Sequence, residues 1–573
     1  MQGSVPADHD EIAPFLRKIV RQNGRLSGFF RLKHTKLRFP LGKTRQRAAM
    51  QFFLFSLSRH RIKNDIEHPL VSSFAFYPKI LLITLLLYNK SHMIAIYFEN
   101  CYNRRTEKFC QIGVISAQRK HMQLTIPQKL IDLAHAAPFP LYLVGGAVRD
   151  ALAGLTCSQD WDICAPCDAE RFSKLAADNG FTVNGTYKNT GTVNLSDGKH
   201  KFEFTSFRTD VYRRGEHAPE KIVFTDDIET DARRRDFKCN AVYYDLRSEK
   251  IEDPLGGVSD IENRCISTTR AADEVFSEDG LRLMRLARLS AQLGFTPDLE
   301  CIFGAKFNAA LIAKISAERI FAELQLILHA DEKYGRKYAH YEGLKLLEGT
   351  DILNYILPEL AVGKGMPQRK DFHDHDVLEH SFRACKYSDS RIRLTALLHD
   401  TGKPAVYAET GKYHGHDVAG EKIVRQILER LKAPKKTIDT AARLTLLHMY
   451  DLDGKARESK IRTFIVKNYD VYPLLLLLKQ ADYSGCKDDL NVCPGILKWD
   501  RIFAQMQQEN VPFTLRQLAV RGNSLNFVPA NQRAQILKSL LLFCACDGSR
   551  NRTDTLLREA ARLSEEHQSG GKA

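Results

Sequence analysis

The 573-residue sequence has no run of about 20 apolar residues, the length that a membrane-spanning helix requires. Its apolar stretch 80–88 is flanked by Lys79 and Lys90, so we expect no membrane span. The acidic start also predicts no secretory signal. The 13 cysteines are odd in number and scattered, which excludes a disulfide scaffold and favours a reducing, cytoplasmic compartment. The CxxC pair Cys164 and Cys167 lacks a second pair at zinc spacing, so we expect two packing thiols.

Charge is distributed unevenly along the chain. Residues 1–121 hold 21 basic and 7 acidic residues and residues 122–573 hold 63 and 62, so the net charge of +15 belongs almost entirely to the N-terminal fifth. We expect an accessory or artefactual extension before Met122; the alternative is a basic arm that binds nucleic acid or a membrane surface. With 44% hydrophobic and 27% charged residues, the whole chain has the composition of about three to five globular domains.

A strand, two glycines and a helix form the first candidate binding element. Leu141–Val144 is predicted as a buried strand, Gly145 and Gly146 follow, and 147–155 is predicted as a helix. Glycines at this point let backbone N–H groups approach a phosphate. The spacing in GGAVRD is not that of the GxGxxG dinucleotide fingerprint.

Acidic side chains lie just beyond this turn. Asp160 and Asp162 are two residues apart at the start of an apolar stretch, so on a strand they face the same side. Glu203, in a second predicted strand at 202–207, could supply a third carboxylate. Carboxylates suit Mg²⁺, and two such ions about 4 Å apart can activate a hydroxyl and stabilise a leaving oxygen. The alternative for the aspartates is a solvated turn.

These residues belong to a series of motifs that resembles the class II tRNA nucleotidyltransferases, the CCA-adding enzymes of the polymerase-beta-like superfamily. LVGGAVRDALAGLTCSQDWDIC resembles their motif A. Motifs B to E are matched, in order, by ARRRDFKCNAVYYD (232–245), DPLGGVSDI (253–261), EDGLRLMR (278–285) and AERIFAEL (317–324). The departures, at Ala153, Lys238 and Cys239, replace no charged motif residue.

The resemblance implies a template-independent enzyme that adds CCA to tRNA. CMP and AMP would be transferred from CTP and ATP to the tRNA 3′ end with release of pyrophosphate, by a two-metal Mg²⁺ mechanism. Asp160, Asp162 and Glu203 would be catalytic, with the two aspartates as metal ligands. The implied nucleotide-binding residues are Gly145, Gly146, Arg149, Arg235, Asp236, Glu278, Asp279, Arg282, Arg285, Glu318 and Arg319.

Motif D predicts how protein could replace a nucleic-acid template. On a helix, Asp279 and Arg282 would share a face. The carboxylate could accept from the amine that cytosine and adenine both carry, and the guanidinium, oriented by Glu278, could donate to the adjacent acceptor. A helical salt bridge worth about 0.3–0.5 kcal/mol is the alternative. Arg282, Arg285 and Arg288 also form a candidate basic face for tRNA, since A-form RNA is recognised by shape and backbone.

The segment 208–224 resembles the flexible loop that full CCA-adding enzymes carry, which favours complete CCA addition over partial addition. Its charge and its single glycine, Gly215, suit a mobile element.

A second metal site is predicted in a histidine-rich region. Histidine and aspartate side chains at helix ends suit a transition metal, and their spacing resembles the HD phosphohydrolase superfamily. His380, His399, Asp400 and Asp482 match the basic ligand set, and His416 and His448 match the extra ligands of multi-metal members. The resemblance implies phosphatase or phosphodiesterase activity, with 2′,3′-cyclic ends as candidate substrates.

We therefore expect an α/β head with a small mixed sheet, followed by a mostly α-helical neck, body, HD domain and tail. Helices are predicted at 279–293 and 317–328, and a solvated tail at 565–573. The predicted boundaries are 1–121 (extension), 122–262 (head), 263–365 (neck and body), 366–490 (HD domain) and 491–573 (tail). Two alternatives remain: a poly(A) polymerase on the same scaffold, and an HD phosphohydrolase whose degenerate head only binds RNA.

Overall fold

The computed structural model describes residues 84–87, 94–97, 124–156, 160–215, 219–452 and 454–569, and the chain divides into two compact units, 1–116 and 117–573. In the first unit, β1 (Thr84–Leu87) pairs antiparallel with β2 (Ile94–Tyr97). The remainder of 1–121, and with it the choice between an extension and a basic arm, lies outside the described residues. Within the described ranges, no helix is long and apolar enough to cross a membrane.

A seven-stranded mixed sheet forms the centre of the head. Its strand order is β11-β10-β3-β4-β7-β6-β5, and only the β4–β7 pair is parallel. A separate antiparallel hairpin, β8–β9, follows β7. The strands of this region are β3 (Tyr142–Val144), β4 (Trp161–Ala165), β5 (Thr182–Tyr187), β6 (Thr192–Ser196), β7 (Lys201–Ser206), β8 (Arg208–Val211), β9 (Lys221–Phe224), β10 (Tyr243–Asp245), β11 (Lys250–Glu252), β12 (Cys265–Ile266) and β13 (Thr296–Pro297).

Helices pack on the sheet, and the rest of the described chain is mostly helical. The helices of the head, neck and body are α1 (Gln128–Ala136), α2 (Gly146–Ala153), α3 (Ala169–Asp178), α4 (Ile228–Arg234), α5 (Gly257–Glu262), α6 (Ala272–Glu278), α7 (Leu281–Leu293), α8 (Leu299–Asn308), α9 (Ala317–Leu328), α10 (Ala330–Tyr334), α11 (Ala339–Gly349), α12 (Leu353–Ile356) and α13 (Pro358–Ala361). They are followed by α14 (Val377–Tyr387), α15 (Arg393–Leu398), α16 (Gly402–Thr410), α17 (His416–Arg430), α18 (Lys435–Leu447), α19 (Glu458–Lys467), α20 (Tyr472–Lys487), α21 (Pro494–Gln508), α22 (Arg533–Phe543) and α23 (Thr553–Ser569).

Buried aromatic rings pack helix α3 against the sheet of the head. Phe172 on α3 stacks on Phe204 of β7, with ring centroids 3.6 Å apart, and both rings are fully buried. Cys164 and Cys167 are buried free thiols, as the single CxxC pair predicted. The predicted fold class, an α/β head followed by a mostly helical chain, is confirmed.

Two large apolar cores and two smaller clusters lie in the described part of the second unit. One continuous apolar cluster extends from Leu130 in the head to Ala441 on α18, and a second extends from Ala384 to Ala560. The HD region therefore contributes to both cores. The predicted domain boundaries stay predictions, since the apolar packing does not break at residues 365 or 490.

The predicted solvated tail begins as the end of a helix, and its residues Glu565 and Glu566 are exposed, as predicted. Helix α23 continues to Ser569. Leu556 and Ala560 on this helix are fully buried in the second core, and Arg562 pairs with Glu559 at 2.6 Å. Burial of one apolar stripe is what makes a charged, surface-exposed segment helical.

Candidate active sites

A polar cleft of about 1150 Å³ opens beside the head sheet. Most of the predicted transferase residues line it: Gly145, Gly146, Arg149, Asp160, Asp162, Glu203, Arg235, Asp236, Asp279, Arg282 and Arg285. Glu278, Glu318 and Arg319 do not line it. The cleft therefore brings together predicted residues that lie as far apart in the chain as Gly145 and Arg285.

The three carboxylates converge at the edge of the two parallel strands. Asp162 on β4 is the register partner of Glu203 on β7, and Asp160 immediately precedes β4. Burial, together with the nearby carboxylates of Glu203 and Asp160, raises the pKa of Asp162 to about 6 against the opposing effect of Arg235. Like charges held in a buried place are stabilised by a cation, so this donor set fits Mg²⁺.

Position 145 requires a glycine, for its backbone conformation and for the space beside it. It begins α2 with φ +81°, a conformation that other residues rarely adopt. A Cβ atom on Gly145 would also lie 2.9 Å from Oδ2 of Asp162. Gly145 thus permits the backbone turn and also leaves room for the carboxylate of Asp162.

Arg149 lies in a buried network rather than on a helix surface. Its Nη1 donates to Oδ1 of Asn240 at 2.6 Å, and its Nε and Nη2 donate to Asp150 at 2.9 and 2.7 Å. The hydroxyl of Tyr334 donates to Asp150 at 2.7 Å and so joins α10 to the head. Sequence reasoning missed Asn240 and Tyr334; the position of Asn240 inside the motif B segment 232–245 was its one signal.

Motif B contributes two buried ion pairs. Arg235 donates to Asp231 at 3.1 Å and to the hydroxyl of Tyr243 at 3.1 Å. Asp236 accepts from Nε of Arg285 at 2.7 Å. Burial alone would raise the pKa of Asp236, but Arg285 holds it at about 2. Asp231, which sequence reasoning missed, is the residue that positions Arg235.

The predicted basic face on α7 is not a free surface. Arg285 is paired with Asp236, and Nε of Arg288 donates to Glu323 at 2.7 Å. Arg282 is itself 5% exposed. The three arginines therefore have three different partners, and all three line the cleft, so their role in tRNA binding stays a prediction.

The prediction that motif D lies on a single helix is wrong. Helix α6 ends at Glu278, Asp279 is extended, and α7 begins at Leu281. Oδ1 of Asp279 accepts from the backbone N–H of Leu281 at 2.9 Å. Glycine at 280 packs against the carbonyl of Leu311, where a Cβ would lie 2.8 Å from that oxygen. The break still directs Asp279 and Arg282 into the same cleft.

Arg282 is held in place from several sides. Its Nη1 donates to Oε2 of Glu278 at 2.9 Å and to the carbonyl of Val275 at 3.0 Å, and its Nη2 donates to the carbonyl of Arg234 at 2.9 Å. These bonds use three of the five N–H groups of the guanidinium. Glu278 thus contacts Arg282, as expected of an orienting residue, and does not enter the cleft.

The motif E residues chosen from the sequence are displaced from the site. Glu318 and Arg319 are exposed in the first turn of α9. Glu323, one turn further along, is the buried residue of this helix that reaches Arg288. The helical period predicted the element correctly but did not identify which of its polar residues points inward.

The segment 208–224 forms the β8–β9 hairpin, with residues 216–218 outside the described ranges. Tyr212 at the end of β8 lies against the Arg282 guanidinium, 5.4 Å from the ring centroid, and lines the cleft. Burial raises the pKa of its hydroxyl to about 12. Sequence reasoning missed Tyr212, which joins the loop to motif D.

The predicted histidine and aspartate ligands of the second site converge in the helical region. Nε2 of His380 lies 3.2 Å from Asp400 and 3.1 Å from Asp482, and 3.3 Å from Nε2 of His399. Burial alone would raise the pKa of Asp400, but His399 and Lys403 keep it well below its usual range. The Nζ of Lys403 lies 2.6 Å from Oδ2 of Asp400.

A second group shares Asp400. Its other oxygen, Oδ1, lies 3.2 Å from Nε2 of His416 and 3.8 Å from Nε2 of His448. The Nδ1 atoms of His399, His416 and His448 lie 2.8, 2.7 and 2.5 Å from backbone carbonyls. Donation from Nδ1 leaves each Nε2 lone pair directed at the centre, which is how metal-binding histidines are oriented. The described residues thus contain His/Asp groups that could hold metal on both sides of Asp400.

Comparison with known proteins matches both regions of the chain that contain these sites. A family model described as the poly A polymerase head domain matches residues 141–267, one for the probable RNA and SrmB-binding site of polymerase A matches 294–363, and an HD domain matches 374–482. An A-adding tRNA nucleotidyltransferase from Deinococcus radiodurans is 30% identical over 395 residues, which are 65% of this chain and 84% of the relative.

The chain belongs to the tRNA nucleotidyltransferase family.

Further relatives within this family carry related names. A multifunctional CCA protein from Xylella fastidiosa is 32% identical over 60% of this chain and 83% of its own length. A CCA-adding enzyme from Geobacillus kaustophilus is 39% identical over 39% of this chain and 52% of its own length. The crystal structure of the Bacillus stearothermophilus CCA-adding enzyme with CTP shares the fold, with a TM-score of 0.55, 23% identity and coverage of 77% and 98%. The family predicted from the motifs is confirmed.

Proposed function

We propose that this chain completes the CCA end of tRNA by transferring CMP and AMP from CTP and ATP. The observation that carries the proposal is the register pair Asp162–Glu203, with Asp160 beside it, in a cleft that also holds Asp279 and Arg282. A degenerate head would not be expected to keep three converging carboxylates and a buried arginine network.

The chain's own residues account for most steps of the reaction. Asp160, Asp162 and Glu203 would hold Mg²⁺, which supplies charge neutralisation and lowers the pKa of the attacking hydroxyl. The tRNA 3′-oxygen attacks the α-phosphate, its proton is lost to solvent or base, and pyrophosphate leaves. Gly145 and Gly146 offer the start of α2 to the phosphates. Asp279 and Arg282 select a base that presents an amine beside an acceptor.

Product sequence distinguishes this proposal from its alternatives. We would supply CTP and ATP with tRNA transcripts that lack CCA and with others that lack only the final A. Complete CCA on both supports the proposal. Addition of A only to the second substrate would match the activity named for the Deinococcus relative, and long A tails would indicate a poly(A) polymerase.

Asp162→Asn tests the carboxylate pair directly. We expect nucleotide addition to fall at least about 100-fold, the scale on which loss of one preorganised electrostatic group slows other enzymes. The matched control is Asp178→Asn at the exposed end of α3, which removes the same charge away from the cleft. Addition at an unchanged rate in Asp162→Asn would mean that the head is not catalytic in this way.

We further propose that the HD region is a metal-dependent phosphohydrolase with a transition metal on each side of Asp400. The converging Nε2 atoms of His380, His399, His416 and His448 support the metal assignment. We expect purified protein to retain metal after dialysis and to hydrolyse 2′,3′-cyclic phosphate ends. His399→Ala should lose both properties, and a protein that holds no metal in either form would contradict the assignment.

A further inference from the structure

Cys486 occupies a different environment from the other buried thiols of the second unit. Cys164, Cys239 and Cys385 are fully buried in or beside the apolar cores. Cys486 is only half-buried, and its Sγ lies 4.0 Å from Oδ1 of Asp482. Asp482 and Cys486 are one turn apart on α20, so they point to the same side of that helix.

His373 is brought to the same place by the segment before α14. The backbone N–H of Asp374 donates to the carbonyl of Cys486 at 3.1 Å, which fixes this segment against the end of α20. The ring of His373 packs edge-on to the ring of His380, with centroids 4.8 Å apart. Nδ1 of His373 lacks a hydrogen-bond partner in the described residues.

The ligand atoms of His373, His380 and Cys486 all lie within 4.8 Å of one another. In tetrahedral coordination, with Zn–N and Zn–S bonds of about 2.0–2.3 Å, two ligand atoms on one zinc ion lie about 3.5 Å apart. Closing this group around an ion therefore needs its ligand atoms to approach one another by up to about 1.3 Å. Side chains at a half-buried rim can make such a shift.

We propose that Cys486, together with His373, is a further ligand of the metal centre on its His380–Asp482 side, so that this chain binds a thiophilic divalent ion there. Binding replaces the Cys486 S–H bond by a sulfur–metal bond and releases the proton to solvent. A thiolate selects borderline and soft ions such as Zn²⁺, Co²⁺ and Cd²⁺ over Mg²⁺ and Mn²⁺. This inference rests on the HD-region metal centre proposed above and adds the class of ion that the centre prefers.

Cobalt spectroscopy of the full-length protein tests this assignment. Co²⁺ bound by imidazole and carboxylate gives visible d–d bands, and a thiolate ligand adds a near-ultraviolet sulfur-to-cobalt charge-transfer band. We expect both in the unmodified protein. Cys486→Ser should lose the charge-transfer band and keep the d–d bands, because an oxygen ligand gives no sulfur transition.

The control is Cys546→Ser, which removes an exposed thiol elsewhere and should leave both bands unchanged. A charge-transfer band that survives in Cys486→Ser, or d–d bands without any charge-transfer band in the unmodified protein, would overturn the thiol ligand and leave the histidine–aspartate centre standing. Absence of every cobalt band would overturn that centre as well. His373→Gln is the second variant: it should alter the d–d bands while the charge-transfer band persists.

Discussion

At the scale of one residue, the carboxylate of Asp279, which we propose reads the nucleotide base, lowers the stability of the folded chain when it is ionised. It is 5% exposed, and burial raises the pKa of its carboxyl to about 6 even though Leu281 N–H, Arg282 and Arg285 oppose the shift. The folded chain therefore holds a proton on Asp279 more tightly than the unfolded chain does. The ionised form that would accept a base amine is the form that destabilises the fold.

Asp279→Asn should therefore stabilise the protein at high pH and weaken its function. At pH 8 we expect a gain of about 1–3 kcal/mol in the free energy of unfolding, since each unit of pKa is worth about 1.4 kcal/mol. The gain should shrink as pH falls below about 6 and vanish only below about pH 3, where the folded and the unfolded parent both carry the proton. Denaturant unfolding at several pH values measures this.

The same variant should lower kcat/KM for CTP about 10- to 100-fold, because one charge-assisted hydrogen bond is lost. Asp178→Asn is again the exposed control. An unchanged kcat/KM, or a stability gain equally large at pH 4, would contradict the assignment of Asp279 to a buried, base-reading position.

Single residues also mark what sequence alone could establish. The pair Asp160 and Asp162 could be predicted because two residues on a strand share a face. Their partnership with Glu203 became definite only through the parallel register of β4 and β7, since strand order is a tertiary property. Asn240 and Tyr334 act through long-range contacts, and a sequence pattern carries no distance information for such contacts. Asp231 is only four residues from Arg235, so sequence reasoning could have found that pair.

At the scale of elements, the spacing of apolar residues predicted the bounds of a single uninterrupted helix correctly. The predicted helix 317–328 matches α9 at both ends, beginning directly after Ser316. The prediction for 279–293 failed at its start: Asp279 is extended between α6 and α7, and Gly280 beside it packs on the Leu311 carbonyl. Apolar spacing reports which face is buried, whereas a tight contact with a distant backbone carbonyl leaves no local signal.

The turn between β3 and α2 yields a prediction with an internal control. Gly145 and Gly154 flank α2 with φ values of +81° and +67°, so alanine is strained at both positions. A Cβ at Gly154 meets no atom within 4 Å, whereas a Cβ at Gly145 meets the Asp162 carboxylate. Gly154→Ala should cost about 1 kcal/mol of stability, and Gly145→Ala should cost more.

Activity separates the two variants further. Gly145→Ala should abolish most nucleotide addition because it displaces Asp162, and Gly154→Ala should retain nearly all of it. Equal stability losses together with equal activities would mean that the close approach of Gly145 to Asp162 has no role in the site.

At the scale of the whole molecule, two sites share one continuous core but no ligand. The transferase residues lie between 145 and 285 and the metal-binding candidates between 373 and 486, while the first apolar cluster contains both Phe204 of the head and Phe382 beside the histidines. Shared packing couples the stability of the two regions. The chemistry of each region depends on its own side chains.

Asp482→Ala should therefore reduce the metal held by the HD region and leave CCA addition within about twofold of the parent protein. Asp162→Asn should show the reverse, with full metal content and little addition. Asp439→Ala, an exposed carboxylate paired with Arg425, is the matched control for charge removal in the helical region. Metal analysis, addition assays and thermal unfolding on the same preparations separate a chemical effect from a loss of fold. If Asp482→Ala stopped nucleotide addition without lowering the unfolding temperature, the two sites would have to be coupled by something other than the core they share.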